Sequence, residues 1–531
     1  MAPATRRRFA PALGRRSLAR CVALALPSIL SFVATGCVRE PQLGAPIAGG
    51  ASVEPSRANV LREEWHEIRI SGKPAGFIAI EERATERGFL TTSRTRLEMR
   101  RGETPIELHA IEEIEEDAAG RILSFSQARK MSRRTTTTRG RVNGDRIAVS
   151  VETEGEPPRT RTVSLDSRAV GPRRARQLTR EALVNEGDTL ELFVFNCELV
   201  RAIAQRSTLG AEEDIEIGGR RRRLRRVLTS SAELPEVTLW IDEEHRQLRS
   251  RVPLGDLVME TTLSTREAIL SQPGGDPPEV YFATSLALNR AIPNDAAEVV
   301  YRVRFRDGSE IAKQAVALLS RAGQTIESED ANGLVLRVRA VGPEGPRERA
   351  EADDASIKRT SDPSALLPSA LIESDNANIV AAAHGVRQSL GDATPWMLAR
   401  ALERWVHEHV TEKTLDKAFA SAAEVFEDRA GDCTEHAVLL AALLRAADLP
   451  ARVVAGLVHH RRALVGHMWT EVLIDGHWIP LDATAGAGRV SADHIALADS
   501  TLGDSSSSDL LLRLLPILGG IEVEVLSIAL P

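Results

Sequence analysis

Cysteine is scarce, with four in 531 residues, too few and too scattered to form a disulfide framework. Aromatic residues make up 4%, and no basic patch is interleaved with them. That removes the base-stacking and phosphate-binding surface of a nucleic-acid binder. No Cys-x-x-Cys or His-x-x-x-His pair occurs, so His459, His460 and His477 with Cys433 lack metal-ligand spacing, and neither metal nor cofactor is expected. There is no internal repeat, and past residue 36 no apolar run approaches transmembrane length. The 43% hydrophobic and 27% charged composition is that of a soluble globular protein. Its length predicts three or four compact units.

The first 36 residues stand apart. They carry six arginines and no acid, followed by the apolar run "CVALALPSILSFV" from Cys21 to Val33. A basic head before a short apolar run predicts a secretory signal. Ala34, Thr35 and Gly36 directly precede Cys37, a pattern that resembles a bacterial lipobox and implies cleavage before Cys37 and lipidation of its thiol. "TRRRFA" resembles a twin-arginine signal more weakly, and a plain signal peptide is the alternative. Loss of the six arginines takes the net charge from −7 to −13, which gives no attraction to nucleic acid. The expected location is the cell envelope, membrane-anchored, facing the periplasm or exterior. Cys197 and Cys433 would remain where disulfides can form; paired together, they would mask any reactivity of Cys433.

The chain then divides by pattern. Residues 37–60 are a Gly/Ala/Pro-rich tether. Residues 61–270 alternate polar and apolar runs between turn signals, an antiparallel β-rich domain with one polar face. Cys197, in "LFVFNCELV", reads as core, and the acidic run "IEEIEEDAAG" as a strand edge rather than a calcium site. A Pro/Gly linker precedes a small β unit at 279–342, and 343–365 is a charged connection. From 366 to 531 the pattern becomes helical and then β, with Thr394 before Pro395 as a helix cap and first-turn proline. A serine-rich loop, a last helix and a terminal strand end the chain.

"AGDCTEHAVLLAALLRAADLPARVV" raises the chemical question. Asp432 and Glu435 form a capping-box pattern that makes Cys433 the first residue of a helix. Helix N-termini stabilise thiolates and can stabilise an oxyanion at an attacked carbonyl. The apolar positions Val438, Leu439, Ala442 and Leu443 suggest the packing face, with Cys433 at an exposed first turn beside it. Locally, a reactive and a structural cysteine remain equally open. A nucleophile needs a base held by an orienting group. If Asp475-Gly476 is a two-residue hairpin turn, Ile474 faces His477, Asp482 faces Trp469, and His467 lies diagonal to Asp482 on one face. His436, one helical turn from Cys433, has no orienter and is expected to pack.

"GDCTEHAVLLAALLRAADLPARVVAG" followed by "GHMWTEVLIDGHWIPLDAT" resembles the transglutaminase-like superfamily, of papain-type fold, over roughly residues 366–497. The resemblance implies a triad of Cys433 (nucleophile), His467 (general base) and Asp482 (orienting His467). The calcium loops of animal transglutaminases have no recognisable counterpart. Trp396 and Trp405 lie where the family often carries an extra oxyanion donor, but helix packing accounts for both. The expected fold class is α+β: an antiparallel β-rich N-terminal region followed by a papain-like transglutaminase domain. The expected protein is an envelope-anchored thiol enzyme acting on amide or peptide bonds through a thioacyl intermediate, with hydrolysis favoured over transamidation. Its substrate is then a protein or peptide. The alternative is a non-catalytic envelope binding or assembly factor that uses the fold as a scaffold.

Overall fold

A computed structural model describes residues 59–531 apart from 102–103, 131–133, 255–256, 272–274, 280–284, 307–320, 322, 342–362, 414–419, 487, 489, 504–509 and 511–519. The signal segment, Cys37, almost all of the tether, most of the charged connection, the serine-rich loop and the stretch where a last helix is expected lie outside the described residues.

The alternating sequence from Val60 to Ser264 becomes a fifteen-stranded sheet. On its first strand, Val60–Ile70, Arg62, Glu64, His66, Ile68 and Ile70 are buried and the residues between them are not, as period-two alternation requires. Each strand pairs with its chain neighbours, and the first also pairs with the fifteenth, Leu257–Ser264. The break falls between Arg159–Ser164 and Ala169–Val170. Only residues 165–168 join these two edges, and each Cα step spans about 3.8 Å, so the sheet curls back on itself as a barrel open along one seam.

Helix α1 (Pro172–Ala182) follows that seam and lies inside the curl. From the first half of the sheet, the Glu116 carboxylate accepts the Arg173 and Arg174 backbone N–H groups, at 2.9 Å each, and Glu82 pairs with Arg173 and Arg176. From the second half, Leu192, Gln205, Val227 and Ile241 line the space beside it. A short helix, α2 (Arg266–Leu270), capped by Thr265, ends the barrel segment.

Two smaller sheets follow. The four-stranded one runs Gln324–Asp330, Gly333–Arg339, Glu298–Phe305, Ile521–Ala529, so the terminal strand closes a sheet begun more than 200 residues earlier. The five-stranded one is built around Ala451–His460 and Ala463–Ile474, flanked by His494–Ser500, Leu286–Ala287 and His477–Leu481. Against it pack α6 (Cys433–Ala446) and α4 (Pro395–His409), and α3 (Ala377–Leu390) and α5 (Ala422–Asp428) pack against α6. Thr394 caps α4 with Pro395 in its first turn, as the sequence predicts.

The two small sheets are locked together through side chains. The Gln324 amide exchanges two hydrogen bonds with the Ala496 backbone, at 2.9 and 3.0 Å, on the open outer edge of that strand. Arg321 and Arg452 share Glu471 and Asp499. Arg159 at the barrel seam grips Asp375 with two nitrogens, at 2.7 and 2.8 Å. One apolar cluster runs from Ile68 in the barrel through Tyr301 to Leu439 of α6.

Candidate active site

Helix α6 begins at Cys433 because Asp432 and Glu435 form a complete capping box. The Asp432 carboxylate accepts the Thr434 N–H at 2.9 Å, and Glu435 accepts the Asp432 N–H at 3.0 Å. Gly431 is required here: it has φ +158, and a Cβ would lie 2.3 Å from that of Glu435. The cap uses the Thr434 and Glu435 N–H groups, so the Cys433 N–H is the first-turn donor it leaves over.

The sequence places Cys433 at an exposed first turn, and this is incorrect. Cys433 is 5% exposed, and α6 is buried on all sides from Cys433 to Arg445. The five-stranded sheet covers one side of the helix and α3, α4 and α5 surround the rest, so its apolar pattern marks no single packing face. Cys433 and Cys197 are both free thiols. Cys197 is core, as expected, and burial followed by Glu112 and Glu198 pushes its thiol pKa well up.

The hairpin forms as its turn residues dictate. Asp475 and Gly476 have φ of 51 and 80, the left-handed pair of a type I′ turn. Ile474 pairs with His477 and Thr470 with Leu481, which carries Asp482 opposite Trp469 and diagonal to His467. The His467 Nε2–H donates to Asp482 Oδ2 at 2.9 Å. The Cys433 side chain lies close enough to act on the imidazole, and with Nε2 engaged, Nδ1 is the nitrogen left for sulfur. The structure therefore brings Cys433, His467 and Asp482 into one chain of contacts.

Burial opposes charge on His467, but the Asp482 carboxylate and the Cys433 sulfur outweigh it and hold the imidazole pKa well above its usual value. Burial likewise opposes ionisation of Asp482, and His467 followed by His494 overcomes it, so the carboxyl stays well below its usual range. The two shifts run in opposite directions, His467 up and Asp482 down, and both favour the charged forms, as an ion pair requires.

Sequence reasoning missed two side chains, His494 and Glu403. His494 Nε2–H donates to the same Asp482 oxygen at 3.3 Å, and its Nδ1–H donates to Asp493 at 2.8 Å. Burial resists its charge, yet Asp493 and Asp482 push its pKa up to about 9. Glu403 of α4 accepts the Asp482 backbone N–H at 2.9 Å and pairs with Arg400. Burial, against Arg400 and aided by Asp482, raises its pKa to about 7. The available signals were an acid at a core position of α4, one turn from Ala399, and a polar cluster from Ser491 to His494 opening an apolar strand.

Other candidates separate. His436 donates from Nδ1 to the Asp432 carbonyl at 2.6 Å, and burial lowers its pKa; it is a neutral packing histidine. His459 Nε2 accepts the Ile292 N–H and His477 is exposed at its turn. Trp405 stacks on His409, and Trp396 lies against Arg400. Among the described residues, His467, Asp482 and His494 are the one His/Asp group whose ligand atoms lie close enough for a metal, within 4.8 Å. Zinc accepts such ligand types. Both Nε2 atoms lie within hydrogen-bond distance of one Asp482 oxygen, at 2.9 and 3.3 Å.

Residues 382–483 match the transglutaminase-like superfamily. The chain thus carries a C-terminal transglutaminase-like domain behind a large antiparallel β region, an α+β architecture, and the family supports a thiol enzyme. No curated protein matches. Among solved structures, a candidate cysteine protease from Cytophaga hutchinsonii shares 15% identity over 44% of this chain and 87% of that one, with TM-score 0.27. A candidate protease from Parabacteroides distasonis shares 11% identity over 70% and 68% respectively, with TM-score 0.19.

Proposed function

We propose that the chain is a thiol hydrolase acting on an amide or peptide bond, with Cys433 as nucleophile, His467 as base and Asp482 orienting the imidazole. The observation that carries this reading is the chain of contacts from Cys433 through His467 to Asp482, all three buried. His467 takes the thiol proton, and the thiolate forms a C–S bond at the substrate carbonyl while the carbonyl π pair moves to oxygen. The Cys433 N–H faces that developing oxyanion at the helix start. Collapse of the intermediate breaks the C–N bond, and His467 returns its proton to the departing amine. Water, deprotonated by the same imidazole, then hydrolyses the thioacyl-enzyme and releases the acid. A lysine-like amine in place of water would give transamidation.

A protein or peptide substrate at the cell envelope, with the enzyme tethered through a lipid on Cys37, completes the reading. It rests on the signal and lipobox pattern of the first 37 residues. The test compares wild type with Cys433→Ala, assaying peptide cleavage and amine incorporation side by side. Both activities should fall to background in the variant. Activity unchanged by the substitution would refute the mechanism.

A further inference from the structure

Under α1 lies a cavity lined by none of the residues of the thiol site. It sits between α1 and the facing wall of the sheet and has a volume of about 90 Å³, room for more than one water. Leu192, Val194, Leu239 and Ile241 form its apolar wall, and the first three are only half-buried because α1 does not fill the space.

Three nitrogen donors line the same cavity with no hydrogen-bond partner: Arg176 Nη1, Arg180 Nε and Gln205 Nε2. Each of these atoms is sealed from bulk solvent, and Arg176 as a residue is 7% exposed. Buried donors in folded proteins are nearly always matched by acceptors, and an unmatched guanidinium nitrogen is the costlier case. No carboxylate lines the cavity. The acids that reach α1 from the first half of the sheet are already engaged, Glu82 by Arg173 and Arg176 together, and Glu116 by the first N–H groups of α1. Arg180 reaches only a backbone carbonyl, that of Glu244. The Ser207 and Thr229 hydroxyls, also on the lining, bond each other at 2.9 Å. The unmet demand is therefore for an acceptor, preferably anionic, beside an apolar wall.

We infer that the cavity under α1 binds a small anionic amphiphile, its acidic head on Arg176, Arg180 and Gln205 and its short alkyl body along Leu192, Val194 and Leu239. A carboxylate and a phosphate monoester share this chemistry.

The test is calorimetric titration of the full chain with hexanoate, hexyl phosphate, hexan-1-ol and hexylammonium. Saturable binding of hexanoate or hexyl phosphate is expected, at least about tenfold tighter than hexan-1-ol, since charge-assisted hydrogen bonds roughly double neutral ones in strength. Which acid binds better identifies the head group. Arg180→Met, at a partly exposed position, should weaken binding about tenfold or more, and Gln205→Leu should weaken it as well. Equal affinity for hexan-1-ol, no saturable binding at millimolar acid, or an unchanged Kd in Arg180→Met would each overturn the assignment.

Discussion

Asp482 accepts two imidazole N–H groups on one oxygen, from His467 at 2.9 Å and His494 at 3.3 Å, while its other oxygen takes the Thr484 N–H at 2.9 Å. Asp482→Asn removes the charge that stabilises the imidazolium formed when His467 takes the thiol proton, and that holds the ring in the orientation presenting Nδ1 to sulfur. Its kcat should fall by about 10³-fold or more with little change in KM, as when the orienting acid of a triad is neutralised; steady-state kinetics on any cleaved peptide reads this. His494 has a pH signature of its own. Its folded pKa of about 9 lies above an unfolded value near 6.5. The stability it contributes is fully present below pH 6.5 and is lost as pH rises through 9. His494→Gln should therefore cost more at pH 6 than at pH 10, by up to about 3 kcal/mol, in urea unfolding followed at both. An equal cost at the two values would show that the imidazolium does not bridge Asp482 and Asp493.

Helices and strands meet at Asp482 from two directions. The hairpin brings its side chain to His467, and α4 holds its backbone through Glu403. Glu403 has a folded pKa of about 7, raised chiefly by burial. An acid shifted upward in this way weakens the fold as pH rises from about 4.5 to 7, because its charge must form inside the protein. Glu403→Gln escapes that penalty, so its stability relative to wild type should improve by roughly 3 kcal/mol between pH 4.5 and 8. A flat difference across that range would contradict it. The hairpin was legible in the sequence because Asp-Gly dictates a two-residue turn, and one turn residue more would have reversed the face. The cap of α6 was legible for the same local reason. Glu403 and His494 were not, since neither belongs to a local motif and each acquires its role only when α4 and His494–Ser500 close around Asp482. The burial of α6 on all sides was equally hidden, because its apolar and small residues fit a one-sided helix as well as a central one.

At the scale of the molecule, long-range strand pairing decides the shape. The turn spacing up to Ser264 predicts a meander, but nothing local says that Val60–Ile70 pairs with Leu257–Ser264 to close it. The terminal strand is a similar case: Ile521–Ala529 pairs with Glu298–Phe305, across the whole helical segment. It buries Ile521, Val523 and Val525, each worth about 1.5–3 kcal/mol. Deleting Ile521–Ala529 should cost at least about 4 kcal/mol by the same area argument. It should also expose Glu298–Phe305 to limited proteolysis, and an unchanged unfolding midpoint would show that this strand is dispensable. Gln324 and Arg321 tie that sheet to the edge of the five-stranded one, so loss of the strand should also lower activity.

The central claim is that Cys433 becomes acylated by its substrate, and acid-quenched intact-mass spectrometry during peptide turnover reads this directly. The predicted result is a mass increase equal to the acyl fragment, mapped to a peptide containing Cys433, removed by hydroxylamine and absent from Cys433→Ala. Turnover that persists in Cys433→Ala, with no acyl adduct on the wild-type thiol, would contradict it.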